Sequence, residues 1–207
     1  MSFNGSVMKR VFCFVCAVLC CALSAFADEP ALRILNAMEQ TLSDMGTYRV
    51  AFEIVAGDYR TEGEYVVAGN DFYVRADDTE VYAEAGIRRE ISRSKREIAV
   101  DNIDASARDI ISNPSSGFAS LSADFDSATV TDASGRQRIV FTPKSGSPSG
   151  ESVTVEMAGN GKLPETIIYA TSAGEVIVRM KDIAPAKSGL PRFDTKRYEG
   201  YEVVDFR

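Results

Sequence analysis

From Tyr48 onward the chain carries turn signals at near-regular intervals, and the segments between them alternate apolar with polar residues. Tyr48, Val50, Phe52 and Ile54 interleave with Arg49, Ala51 and Glu53, the two-residue period of a strand with one buried face. Gly57-Asp58 turns the chain into a strand over residues 59–68, and Gly69-Asn70 turns it again into 71–76. Asp77-Asp78 leads into 79–84, and Ala85-Gly86 into a charged strand. Later turns read at 132–135, 145–150, 159–161 and 172–174. This spacing specifies an antiparallel meander of about ten strands. A sheet of that length with one apolar face must close into a barrel or be covered by helices.

Two segments can supply the cover. Residues 28–45 read as an amphipathic helix, because Ala31, Leu35, Met38, Leu42 and Met45 recur at steps of four and three residues. Pro30 sits in the first turn, where its missing N–H costs nothing, and Gly46 follows as a stop. Inside the meander, Asp104 is placed to cap a short helix carrying Ala107, Ile110 and Ile111, which Asn113-Pro114 ends. Phe118 and Leu121 suggest a further helical turn, so that 104–121 forms a helical insert. If these covers fill the interior, the result is an ordinary structural domain. If they roof an under-filled sheet, it holds a lipid-like ligand.

The start of the chain narrows the chemistry. Lys9-Arg10, the apolar run 11–23 and Ala25-Phe26-Ala27 make a secretory leader, with cleavage expected after residue 27. All four cysteines lie within it, and the sequence has neither His nor Trp. Cys20 and Cys21 lack the small preceding residue of a lipid-anchoring signal, so soluble release to the periplasm is expected. The exported part, 28–207, reads as one domain and as a monomer. It lacks thiols and imidazoles, the usual nucleophiles, proton shuttles and soft-metal ligands, which favours binding over catalysis; no enzyme activity, cofactor or metal is expected. The whole chain carries 23 basic and 30 acidic residues, and the leader removes two of the basic ones and none of the acidic. That balance argues against a nucleic-acid partner.

The main candidate for function is the apolar face. Tyr48, Val50, Phe52, Ile54, Tyr65, Val67, Phe72 and Val74 would line the concave side of the sheet, with Leu35, Met38 and Leu42 above them. The same residues could equally be plain core. Arg88, Arg89 and Arg93, with Lys95 and Arg96, form the densest basic run, readable as a contact for anionic headgroups or an acidic partner. A solvated edge strand kept from aggregating by its charge is the alternative. Asp77-Asp78, Asp101 and Asp104 lack the offsets of a calcium loop and read as turn and cap residues. Gly159-Asn160-Gly161 precedes a strand and is a hairpin turn, not a phosphate loop.

The order of elements, together with several short stretches, resembles the periplasmic outer-membrane lipoprotein carrier family (LolA-like), in a divergent branch. Ile139-Val140-Phe141-Thr142-Pro143-Lys144 is similar to its strand ending Leu-x-Pro-Lys, and Leu163-Pro164-Glu165-Thr166-Ile167 to its later Leu-Pro-x-x-Ile. Arg192-Phe193-Asp194 and Tyr201-Glu202-Val203-Val204-Asp205-Phe206-Arg207 resemble the family's ending. The resemblance implies an α+β, mainly antiparallel fold: a half-open β-barrel of about ten strands covered by the N-terminal helix and the helical insert. It implies a carrier or chaperone in outer-membrane biogenesis, shielding the acyl chains of lipoproteins in an apolar cavity. Its partners would be acylated lipoproteins, an inner-membrane lipoprotein-releasing transporter and an outer-membrane acceptor. A sensing or scaffolding domain of the same fold, without lipid, is the alternative. Two departures stand out. Better-known members hold the lid with an Arg where Val67-Ala68-Gly69-Asn70 stands here, and an Asp-Gly-Lys-x-x-Trp stretch is replaced by Glu84-Ala85-Gly86-Ile87-Arg88-Arg89. Arg75 is near the latch position but off register.

Overall fold

The structure is a computed structural model describing residues 29–104, 114, 121, 125–133, 135–145 and 152–207. The leader lies outside these residues, as does all of the expected helical insert except Asp104, Pro114 and Leu121. Helix α1 (Glu29–Asp44) buries Ala31, Leu35, Met38 and Leu42, the stripe that its periodicity picks out. The chain turns out of it two residues past its end, at Gly46, whose φ of 65° lies in the left-handed region that glycine adopts without strain.

Among the described residues twelve strands follow: β1 (Thr47–Ala56), β2 (Tyr59–Ala68), β3 (Asp71–Ala76), β4 (Thr79–Glu84), β5 (Ile87–Ser92), β6 (Glu97–Asn102), β7 (Phe125–Thr131), β8 (Gln137–Pro143), β9 (Val153–Met157), β10 (Pro164–Thr171), β11 (Gly174–Pro185) and β12 (Glu202–Asp205). They form one sheet in the order β12-β6-β5-β4-β3-β2-β1-β11-β10-β9-β8-β7. Every pair is antiparallel except β12 with β6. The two ends of the sheet, β12 and β7, do not pair, so the barrel is half-open. The turn spacing had suggested about ten strands. The pairing of β12 is invisible to turn signals, because a parallel neighbour arrives through a long connection.

β1 joins the two halves, pairing with β2 on one side and β11 on the other. Its register against β11 shifts between Ala51 and Phe52, an irregularity of the kind that bends a sheet. The hairpin signals at 57–58, 69–70, 77–78 and 85–86 all become turns, with positive φ at Gly57, Gly69, Asp77, Ala85 and Gly86. Asp77 accepts hydroxyl hydrogen bonds from Tyr59 and Thr61, and Asp78 accepts from the Ser94 backbone N–H at 3.1 Å. These aspartates shape turns.

The sheet has two apolar cores, one on each side. The inner core joins α1 to the concave faces of β1–β4 and β7–β11, with Phe52, Phe72, Phe141, Ile139, Ile167 and Met157 buried at its centre. Burying each such side chain contributes roughly 1.5–3 kcal/mol. The outer core lies on the opposite face of β2–β6, where Val66, Tyr73, Tyr82, Ile91, Ile98 and Val100 meet Tyr198 and, partly buried, Leu190, Phe193 and Tyr201. Residues 186–201 thus form a strap across the convex face, with a short 3-10 turn at Thr195–Tyr198, before β12 caps the edge of β6. At β5 the apolar side of the sheet changes over: Ile91 belongs to the outer core, while Arg88, opposite the buried Ala83, looks to the concave side.

Candidate functional site

All eleven residues proposed for the concave face and its cover belong to the inner core cluster. The strict alternation of β1 sends Tyr48, Val50, Phe52 and Ile54 inward, and the antiparallel register sets Tyr65 opposite Val50 and Val67 opposite Tyr48. Val74 and Phe72 continue the same two rows onto β3. Leu35, Met38 and Leu42 come down from α1. The rings of Tyr48 and Tyr65 meet edge to face with centroids 6.5 Å apart, and Phe52 lies 5.9 Å from Tyr65.

Gly63 makes room for this packing. A Cβ there would stand 2.5 Å from the Arg75 carbonyl oxygen and 2.6 Å from Cζ of Phe52. The tip of the phenyl ring therefore reaches over Gly63 on β2, where only hydrogen fits.

Most of the concave face is filled, but a cavity of about 600 Å³ opens at one end, where α1 stops and the β2–β3 turn comes beneath it. Leu42, Tyr48, Val67 and Pro114 give it apolar walls; Glu39, Ser43, Thr47 and Asn70 give it polar ones. It therefore reaches the inner core through Leu42, Tyr48 and Val67. Burial pushes the Tyr48 hydroxyl up to about 12, so it stays a neutral donor. Burial also raises the Glu39 carboxyl above its ordinary value. The stretch from Val67 to Asn70, where the family's latch Arg is missing, is itself a wall of this cavity.

The arginines part company. Arg75 turns to the outer face and pairs with Glu64 at 3.0 Å, away from α1. Arg88 bonds Glu90 on the concave side, whereas Arg89 lies over the Phe193 ring on the outer side, 5.1 Å from its centroid. Arg93 reaches Glu80. Arg88, Arg89 and Arg93 do not form one patch.

Glu80 escaped the sequence reading. It is 1% exposed, on the outer face of β4, beneath the strap. Tyr198 and Arg93 donate to it, as do Arg197 at 3.0 Å and Tyr82 at 3.2 Å. Burial alone would raise this carboxyl; the Tyr198 hydroxyl and the Arg197 and Arg93 guanidiniums outweigh it and hold the group below its ordinary value. Phe193 stacks on Tyr198 with rings 6° from parallel, and Arg96 covers Tyr201. The cluster is a clasp: it fastens the strap to β4 with every oxygen of the carboxylate engaged. Its sequence signal is an acidic residue at the head of the apolar run Val81-Tyr82-Ala83, a poor place for a solvent-facing charge.

The outcome is a half-open antiparallel barrel with an amphipathic helix over its apolar concave face. Among the described residues no helix is long and apolar enough to cross a membrane. No family model matches the sequence, and neither does the sequence of any curated protein. Solved structures do match. An uncharacterised conserved protein from Thermus thermophilus superposes with a TM-score of 0.57 at 10% identity, over 86% of this chain and 99% of that one. A LolA superfamily protein from Nitrosomonas europaea matches at a TM-score of 0.40 and 12% identity, over 81% of this chain and 96% of that one. The first likeness shows a shared fold. The second is too loose to carry more than the observation that the family resembled in sequence is among the matches.

Proposed function

We propose that residues 28–207, freed from the leader 1–27, act as a periplasmic carrier that shelters the acyl chains of lipoproteins between an inner-membrane releasing transporter and an outer-membrane acceptor. The observation that carries this reading is the cavity of about 600 Å³ opening onto the inner core at the end of α1. An acyl chain gains roughly 0.8 kcal/mol for each CH₂ that leaves water. The walls Leu42, Tyr48 and Val67 offer such a chain an apolar lining continuous with the core. Removing a chain from a pocket with an open mouth breaks no covalent bond, which suits a carrier that must release. The motifs shared with the LolA-like family support the same assignment.

Native mass spectrometry of protein exported to a periplasm, before and after delipidation, tests it. The carrier reading expects a bound acyl species that delipidation removes and that added lipopeptide restores. Homogeneous ligand-free protein that takes up no lipopeptide would sink it. One observation favours the second reading, a scaffold without lipid: all eleven residues of the concave face and its cover are already buried against one another. In that case the same spectra would show only the bare chain.

A further inference from the structure

Glu39 stands out among the residues around the cavity. Among the described residues it is the only lining side chain that carries a charge near neutral pH, the others being apolar, hydroxyl or amide groups and glycine. On α1 it sits one residue beyond Met38, on the flank of the buried stripe, and four before Ser43, which lines the same mouth. Its helix offers no cation nearby: Arg33, the only basic residue of α1, is turned toward Glu29 at the other end. No hydrogen bond or ion pair engages the Glu39 carboxylate among the described residues, whereas Glu90 on the concave side of β5 is paired with Arg88. Burial without a partner raises its proton affinity, the mark of a carboxylate that would gain from a donor.

The surroundings decide which donor. Leu42, Tyr48 and Val67 lie deeper and offer apolar contact, while Thr47, Asn70 and Ser43 add neutral polar groups at the rim. A ligand that lays an acyl chain along the apolar walls therefore brings its polar end to Glu39. An anionic end would meet a like charge across a short distance in a partly dry mouth. An ammonium would both neutralise the carboxylate and donate to it.

We propose that Glu39 makes this cavity selective for acylated ligands whose polar end presents N–H donors, a free cationic amine above all, over those ending in an anion. The inference rests on the carrier reading and specifies its cargo. Among lipidated peptides it favours those whose N-terminal amine is left free over those carrying an acyl group on that nitrogen.

Two probes with the same chain, dodecylamine and dodecanoate, test it below their micellar concentrations, by calorimetric titration of the exported and delipidated protein. Dodecylamine is expected to bind about tenfold more tightly, the ratio that corresponds to 1.4 kcal/mol. Glu39→Gln keeps the shape and helix preference of the side chain, so the fold survives. It should bring the two affinities to within about twofold, mainly by weakening the amine. Equal affinities in the native chain, unchanged by Glu39→Gln, would overturn the selectivity and leave the carrier reading standing. Binding of neither probe would overturn both. Tighter binding of dodecanoate would overturn the selectivity alone.

Discussion

Gly63 shows how much of the inner core hangs on one missing methyl group. Its neighbours on both sides are fixed, one a backbone carbonyl and the other the Phe52 ring, so an added Cβ cannot be absorbed by a flexible side chain. Gly63→Ala is expected to cost about 1–3 kcal/mol, seen as a lower urea midpoint with an unchanged slope. An unchanged midpoint would mean that Phe52 can leave its place freely. Met38 sits fully buried at the centre of the α1 stripe, and Met38→Ala should cost about 2–5 kcal/mol in the same assay. A loss well below that would point to a core that collapses around the gap. Ala85 makes the opposite case: with φ of 51° it holds a conformation that L-residues adopt at a cost, and Ala85→Gly should stabilise the turn by a few tenths to 1 kcal/mol.

Among the elements, the strap depends on Glu80. The carboxyl has an ordinary value of 4.5 in the free side chain and a lower one in the folded protein. Its ionised form is therefore the one the fold prefers, and the contribution of the clasp is fully present above the ordinary value. It is lost as pH falls through the folded-state value, when the proton displaces the donors from Tyr198, Arg197 and Arg93. Glu80→Gln should lower stability at neutral pH by about 2 kcal/mol, a figure reduced because both guanidiniums remain half in water. The variant should also lose less stability than the native chain as pH falls below the ordinary value of 4.5. Parallel acid curves for the two proteins would remove Glu80 from the account. α1 and the concave residues were legible in the sequence because their periods are clean: β1 alternates without a break, and the α1 stripe keeps helical spacing. The clasp was not, since Tyr82 and Tyr198 meet across 116 residues and no local pattern records the meeting. The lack of an Arg at Val67–Asn70 was legible only as an absence, and Arg75, off register in the sequence, turns to the outer face beside Glu64.

At the scale of the whole molecule, three strands differ from the rest. Tyr65-Val66-Val67, Phe72-Tyr73-Val74 and Val81-Tyr82-Ala83 are buried residue after residue, whereas β1 and β9 bury every second one. In the sequence these triplets break the alternation, and that break was the available sign that β2, β3 and β4 have cores on both faces. Amide hydrogen exchange should be slowest across these triplets and faster along β8–β10, which have one core only. Uniform protection across the sheet would contradict that order. A panel clamped on both sides cannot bow. If the hollow is to swell around a guest, the give must come from the opposite wall and from the helix overhead, so the size of guest it accepts is set by the thin side of the vessel and not by the residues at its back.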